Sequence, residues 1–201
     1  MSFKIAPRRL CTYIIGQDLG LAPNPFWGWC TFAVCTPNHQ GARLIEGDWI
    51  AGFSSRGTGN LLIYAMQVFD RIHMDSYFND PRFADKKPNQ RGTWQQRCGD
   101  NFYSQNPDSS WKQHWNPFHP GKEYTKKDTR KPYVFVSNRF WYFGRDAVSV
   151  PEQYKPLIGE RGIRVNHRFE LTENFLGWVE SSHKQGVRAL PRDNPDRPRS
   201  P

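Results

Sequence analysis

Short runs of apolar, β-branched and aromatic residues recur along the chain and predict a fold rich in short strands. Residues 61–68 (LLIYAMQV) are the clearest of these runs, and residues 133–137 (YVFVS) form another. The other predicted strands are equally short and end at Gly, Pro or polar residues: 10–16, 29–36, 49–53, 140–143 and 164–171. Helical spacing is rarer, and it predicts short helices at 75–79, 150–158 and 173–183.

Together these elements predict a mostly β fold of the α+β class, a small β-barrel with one or two short helices and a long basic loop. Residues 82–132 supply the loop, because they are rich in Pro, Asn, Gln, Lys and Trp and show little periodicity. There is neither βαβ alternation nor a glycine-rich phosphate loop, which argues against Rossmann and P-loop folds. We expect one domain over residues 1–183 and a disordered, basic, proline-rich tail over residues 184–201.

The composition favours a core built from rings. Aromatic residues make up 15% of the 201 residues, while hydrophobic residues as a whole make up only 37%. No run approaches the roughly 18 apolar residues of a membrane helix, and the first residues lack the features of a secretory signal. We therefore expect a cytoplasmic protein, without membrane association, whose four cysteines stay reduced.

Cys30, Cys35 and His39 have a spacing that superficially resembles part of a zinc cluster. In a strand, however, residues 30 and 35 face opposite sides, and no second pair of Cys or His residues follows. We predict two buried cysteines instead, with no metal site and no cofactor.

The net charge of +9 is concentrated in the middle of the chain. Residues 82–139 carry twelve basic and five acidic side chains, an excess of +7, and Trp94, Trp111 and Trp115 lie among them. Cations hold phosphates while rings stack on bases, so this pattern favours a nucleic acid or nucleotide as partner. The alternatives are a basic surface that only confers solubility, and a loop whose tryptophans pack on the barrel.

Residues 22–29 (APNPFWGW) combine a proline-stiffened backbone with three rings. Phe26 and Trp27 could stack on a base, a contact that typically contributes about 1–3 kcal/mol. Asp18 and Asn24 could hydrogen-bond the edge of the same ligand. The alternative is that these rings close one end of the barrel.

Acid/base candidates also occur in the basic loop. His114 and His119 lie there with Asp100, Asp108 and Asp128, and a His–Asp pair could form among them. Solvated loop histidines are the alternative. No spacing amounts to a catalytic signature.

Several motifs occur together and in order over residues 10–151: Tyr13, Asp18, Ala22-Pro23-Asn24-Pro25-Phe26, Gly47-Asp48-Trp49, Ile63-Tyr64-Ala65-Met66, Tyr77, Asp80-Pro81-Arg82-Phe83, Gly99-Asp100-Asn101-Phe102-Tyr103 and Phe140-Trp141-Tyr142-Phe143-Gly144. In these motifs the chain resembles a bacterial and phage family, nucleotide modification associated domain 2. More loosely, residues 46–68 and 80–83 resemble PUA-like domains of the ASCH and EVE groups, which are small barrels that bind modified or flipped bases. The resemblance implies a role with modified nucleotides, and neither group supplies a catalytic residue.

The sequence therefore predicts a PUA-like domain that recognises a nucleobase, modified and carried by DNA, within a base-modification or modification-sensing system. The expected contacts fall into three groups: rings that stack on the base (Phe26, Trp27, Trp49), polar groups that read its edge (Asp18, Asn24, Asn101), and cations that hold phosphates (Arg56, Arg139 and the lysines between 86 and 131).

Two other functions stay open. The first is an enzyme for glycosyl transfer or hydrolysis on a nucleotide or DNA base, with Asp18 or Asp100 as base and His114 or His119 assisting. The second is a small subunit that docks on protein partners in a DNA-modification system.

Overall fold

The computed structural model describes residues 8–35, 39–40, 42–160 and 162–193. Its strands are β1 (Leu10–Ile14), β2 (Cys30–Phe32), β3 (Trp49–Phe53), β4 (Leu62–Gln67), β5 (Asp70–His73), β6 (Tyr103–Gln105), β7 (Trp111–Gln113), β8 (Tyr133–Ser137), β9 (Arg139–Tyr142), β10 (Ile163–Arg164) and β11 (Gly186–Val187). Its α-helices are α1 (Met74–Asn79), α2 (Trp94–Arg97), α3 (Lys122–Asp128) and α4 (Phe169–Ser182). Short 3₁₀ helices cover Arg56–Thr58, Pro81–Lys86, Gly144–Asp146 and Glu152–Leu157.

Three sheets organise these strands. The first has six strands in the order β10-β1-β3-β4-β9-β11, the second has the order β2-β8-β5, and β6 pairs with β7. β1 and β3 are parallel, whereas β4 pairs antiparallel with both β3 and β9. The predicted α+β class is therefore confirmed, whereas the expectation of a mostly β fold is not, because helices account for at least as many residues as strands do.

Alternating side chains give the six-stranded sheet a core on each face. Phe140 and Tyr142 of β9 join the cluster that reaches Phe32 and Phe135 of the second sheet. Trp141, between them, joins the opposite cluster, which includes three residues of α4 at helical spacing: Phe175, Leu176 and Val179. A third cluster lies between β8 and the segment that runs from Met74 to Phe118.

The predicted closed barrel is not found in the part of the chain that the structure describes. The six-stranded sheet is open, and its edge strands β10 and β11 have two residues each. Strands this short cannot extend a ladder far enough to close the sheet on itself. The second sheet instead packs against the first through the aromatic cluster around Tyr13, Phe32 and Tyr142.

Several predicted elements differ from those in the structure, among them the strand at 29–36, which is shortened to β2. The predicted strand at 164–171 is reduced to β10, and α4 begins at Phe169 rather than at residue 173. The predicted loop at 82–132 contains α2, β6, β7 and α3, which are too short to leave a periodic pattern in the sequence. Within the described ranges, none of the helices combines the length and the apolar character needed to cross a membrane.

The segment after α4 is held against the six-stranded sheet, although the sequence predicted a disordered tail from residue 184. β11 pairs with β9, and the backbone N–H of Asp18 donates to Asp193 Oδ2 over 2.7 Å. Asp18 Oδ2 in turn accepts the N–H of Arg192 at 3.0 Å. The folded unit therefore extends to Asp193, and the rest of the predicted tail lies outside the described residues.

Candidate functional site

A cavity of about 460 Å³ opens between the end of β1, the loop after β2 and the segment that leads into α3. Its rings come from Tyr13, Phe32, Phe118 and Tyr124, and aliphatic residues such as Ile15 and Leu21 complete the wall. We call this space the aromatic cavity. Its volume lies within the range of roughly 300–1,000 Å³ that is usual for small-molecule sites.

His39 lines the aromatic cavity and is only 6% exposed. Its ring lies edge-on to Tyr13 and Phe32, with centroids 4.4 and 4.6 Å apart. Burial lowers the pKa of His39 to about 4, so the ring is neutral at pH 7. Neither ring nitrogen has a hydrogen-bond partner among the described residues. A neutral imidazole presents one donor and one acceptor, and neither is satisfied within the described residues.

Cys35 and His119 lie side by side at the wall of the same cavity. Cys35 Sγ is 3.5 Å from His119 Nε2, and His119 Nδ1 is 2.6 Å from Asp128 Oδ2. Because a carboxylate can only accept, Nδ1 carries a proton and donates it to Asp128. The three side chains form a continuous Cys–His–Asp relay.

Asp128 positions both ends of this relay. It is fully buried, and its Oδ1 accepts the backbone N–H of Cys35 at 3.3 Å. Tyr103 donates its hydroxyl hydrogen to Asp128 Oδ2 over 3.1 Å. Asn116 Oδ1 accepts the N–H of His119 at 2.6 Å, a local turn that aims the imidazole at Cys35.

The electrostatics of the relay favour a charged imidazole. Burial alone would lower the pKa of His119, but its hydrogen bonds to Asp128 and Cys35 outweigh burial and raise that pKa to about 9. Cys35 is exposed, and its backbone has a φ of +60°, a left-handed conformation that is rare in residues other than glycine. Such conformations concentrate at functional sites.

Helix α3 separates the aromatic cavity from a second, more open cleft of about 790 Å³. Tyr124 faces the cavity, while Lys122 and Lys126, four residues apart and thus on one helical face, line the cleft together with Trp111 and Trp115. We call this surface the basic cleft. It combines the cations and rings that the sequence predicted for this segment.

Phe26 and Trp27 line a third depression of about 480 Å³, here called the Phe26–Trp27 cleft, together with Asn138 and Gln185. Phe26 is only 5% exposed, whereas Trp27 is half-buried and lies edge-on to it. Of these two predicted stacking rings, Trp27 is therefore the one that is available at a surface.

Asn24 and Asp100 belong to a buried network around Lys86, which is itself 1% exposed. The Lys86 ammonium donates to Asn24 O at 2.8 Å, Asn24 Oδ1 at 2.7 Å and Trp29 O at 2.7 Å. Asp100 accepts hydroxyl hydrogens from Thr31 at 2.8 Å and from Tyr77 at 2.7 Å. These groups hold loops together, and Lys86 differs from the surface lysines that the sequence predicted.

The guanidinium of Arg139 lies 5.9 Å from the centroid of the Trp49 ring, whereas Arg56 lies apart from both. Trp49 is fully buried and stacks on Trp141 at 5.5 Å, which leaves it no face for a base. Arg139 is paired with Glu180 at 2.9 Å, and Arg56 lies exposed in the turn after β3.

The remaining candidates are engaged within the protein. Asp18 accepts the Tyr142 hydroxyl hydrogen at 2.6 Å, and burial raises the pKa of its carboxyl group. Asn101 donates to the carbonyl oxygens of Tyr77 and Phe83. His114 is bonded to Ser104 at 2.9 Å and lies in the wall of the basic cleft.

Of the predicted acid/base residues, His119 is the one that the structure places beside a nucleophile. The expectation of two buried cysteines is correct for Cys30 and wrong for Cys35, because β2 ends at Phe32 and the turn that follows carries Cys35 to the surface. Within the described ranges, no group of three or more His, Cys, Asp or Glu side chains is arranged to hold a metal ion. The sequence drew attention to Cys35 and His39 only as possible metal ligands, whereas in the structure both line the aromatic cavity.

Comparison with known proteins identifies the family to which the chain belongs. The sequence profile described as nucleotide modification associated domain 2 matches residues 8–196. No curated protein and no solved structure matches the sequence. The looser resemblance to PUA-like barrels is not confirmed. Because the match covers most of the chain, the protein belongs to the nucleotide modification associated domain 2 family.

Proposed function

We propose that this member of the nucleotide modification associated domain 2 family binds a nucleobase in the aromatic cavity, as a component of a nucleotide modification system. The observation that carries the proposal is His39, a buried neutral imidazole with both nitrogens unpartnered among the described residues, at the wall of a cavity with flat aromatic sides. The base can belong to DNA, our first choice, or to a free nucleotide.

The chemistry of the cavity suits a base better than an aliphatic ligand. Every base has two π-faces, and the half-buried ring of Tyr124, whose other face stacks on His119, can contact one of them. Its edge carries donors and acceptors, and because the two nitrogens of an imidazole point away from each other, one of them can pair with one group of that edge. Leaving such a buried group unpaired costs about 1–3 kcal/mol, so a ligand that satisfies His39 gains that amount over one that does not.

The basic cleft gives the same ligand a place for its phosphates. Lys122 and Lys126 face away from the aromatic cavity on the same helix that contributes Tyr124 to it. A nucleotide strand that crosses α3 can therefore place a base on one side and its backbone on the other. A substitution that removes one phosphate contact should make the slope of log K against log salt shallower by about 0.7–0.9.

The test is a calorimetric titration with nucleosides and short single-stranded oligonucleotides that carry unmodified and modified bases. Tyr124→Ala removes one ring of the aromatic cavity, and Trp27→Ala is the matched control in the Phe26–Trp27 cleft. Loss of one stacking interaction of about 1–3 kcal/mol predicts a 5- to 150-fold weaker affinity for Tyr124→Ala. Trp27→Ala should bind as the native protein does.

If Trp27→Ala weakens binding and Tyr124→Ala does not, the base binds in the Phe26–Trp27 cleft, and the assignment to the aromatic cavity is wrong. If the native protein binds none of the nucleosides or oligonucleotides at low salt, base recognition itself is wrong. His39→Phe gives a second check, because it keeps an aromatic ring in the wall but removes both nitrogens. This variant should lose discrimination between bases more than it loses stability.

A further inference from the structure

The Cys–His–Asp relay offers a chemistry that base recognition does not need. A pocket that only reads a base requires rings and edge contacts, whereas this one also carries an exposed thiol 3.5 Å from an imidazole. The imidazole is oriented in turn by a buried carboxylate at 2.6 Å. Nucleophile, base and orienting group within hydrogen-bond reach are the geometric signature of an activated nucleophile.

We propose that Cys35, His119 and Asp128 form a catalytic site for thiol-dependent acyl transfer. The substrate class is a nucleobase or nucleotide that bears an amide or ester group. Cys35 is the nucleophile, His119 the general base and acid, and Asp128 a positioning residue. This inference rests on the proposed function for the identity of the base, and on the relay alone for the reaction.

The reaction balances with water as the only co-reactant. His119 holds the proton of the Cys35 thiol, and the thiolate attacks the carbonyl carbon, which forms a C–S bond and moves the C=O π electrons to oxygen. Collapse of this tetrahedral species breaks the C–N or C–O bond, and the leaving amine or alcohol takes the proton from His119. Water then attacks the thioester while His119 accepts its proton, and the carboxylic acid leaves as the Cys35 thiolate is restored.

Cys35 is the cysteine suited to this role. Cys11, Cys30 and Cys98 are all fully buried, and burial raises the pKa of Cys11 and Cys30 to about 12. Cys35 alone among the four is exposed. An alkylating reagent added to the folded protein should therefore report on Cys35 without removal of the other cysteines.

The first experiment measures the rate at which iodoacetamide alkylates the native protein between pH 5 and pH 9. His119→Asn is the test variant, because its amide nitrogen can still bond Asp128 at the Nδ1 position but leaves nothing at the Nε2 position. His167→Asn is the matched control, since His167 is bonded to Thr12 and lines neither the aromatic cavity nor the basic cleft. Circular dichroism establishes that each variant is folded.

We expect the native protein to be alkylated about ten times faster than His119→Asn at pH 6, since the His119 imidazole 3.5 Å from Cys35 Sγ assists the attack of the sulfur. His167→Asn should match the native rate. A native rate at pH 6 equal to that of His119→Asn would overturn the proposal. The native rate at pH 6 is also compared with that of a short peptide that contains one free cysteine. The native protein should react faster than the peptide, and this comparison does not depend on the folding of a variant.

The second experiment tests the acyl step with p-nitrophenyl acetate and N4-acetyldeoxycytidine. Intact-protein mass spectrometry should show one acetyl group on the native protein and none on Cys35→Ser. A fast-reacting thiol that takes an acetyl group from neither compound would contradict acyl transfer. An acetyl group taken from p-nitrophenyl acetate by a protein that binds no nucleoside would retain the relay and refute the base-binding proposal, so the two failures are distinguishable.

Discussion

Lys86 provides the sharpest test of how the loops around the candidate site are held. Its ammonium is buried, donates to three oxygen atoms and stabilises the nearby carboxylate of Asp100. Lys86→Met keeps most of the side-chain volume and removes the charge and all three hydrogen bonds. The two oxygens of Asn24 still accept from the backbone N–H groups of Thr31 and Phe26, whereas Trp29 O is deprived of the ammonium that donates to it.

The expected magnitude follows from three contributions. An unpaired Trp29 carbonyl costs about 1–3 kcal/mol, and a buried charge that loses its partner costs about 3–5 kcal/mol. In the other direction, burial lowers the pKa of Lys86 from 10.5 to about 8. Removal of the buried ammonium therefore raises the free energy of unfolding by about 3 kcal/mol. We therefore expect Lys86→Met to lower the free energy of unfolding by about 3 kcal/mol, a large share of the roughly 5–15 kcal/mol of an ordinary domain.

Urea denaturation followed by tryptophan fluorescence measures this change directly. Lys87→Met is the matched control, because Lys87 is the exposed neighbour and should change stability by less than about 0.5 kcal/mol. If the two variants unfold at the same urea concentration, the buried network does not stabilise the fold. Asn24 and Asp100 would then be free to serve a ligand, as the sequence suggested.

Three other features of the fold can be tested by single substitutions. Asp18→Ala removes the acceptor that holds the segment after α4, so trypsin should cleave that segment faster, and an unchanged digestion pattern would count against the docking. Gly99→Ala places a methyl group against the backbone oxygen of Lys86 and should lower the melting temperature. Gly177→Ala places a methyl group in open space on α4 and should raise the melting temperature slightly. Thermal melts in the reverse order would refute this packing. The raised pKa of His119 contributes stability that is fully present below pH 6.5 and is lost as the pH rises through about 9. The difference in free energy of unfolding between the native protein and His119→Asn, measured by urea titration, should therefore shrink from pH 6 to pH 10. A difference that grows would contradict the relay.

Strands were predictable where residue type and pattern agreed with tertiary packing. The run at β8 is β-branched or aromatic at most positions and the run at β4 is apolar at most positions, and both are strands within one residue of the predicted limits. The start of α4 was not predictable, because Phe169 and the residues after it fit a strand pattern as well as a helical one. The open sheet was not predictable either, since edge strands of two residues leave no signal.

The candidate site was predictable only in part, because the type of a residue does not reveal its exposure or its long-range contacts. His119 was recognised as an acid/base candidate, but its partner Cys35 lies 84 residues away and was expected to be buried. Trp49 and Asn24 had suitable chemistry for a base, yet both are fully buried. The rings of Tyr13 and Tyr124 converge on one cavity only because β1 and α3 meet in the fold.

Protection of Cys35 by a nucleoside tests the central claim most directly. The alkylation rate of Cys35 is measured at increasing concentrations of the nucleoside that binds best in calorimetry. If the base occupies the aromatic cavity, the rate should fall saturably, with a midpoint equal to the calorimetric dissociation constant, and Tyr124→Ala should shift both values together. A nucleoside that binds tightly and leaves the alkylation rate unchanged would place the base elsewhere and contradict the account.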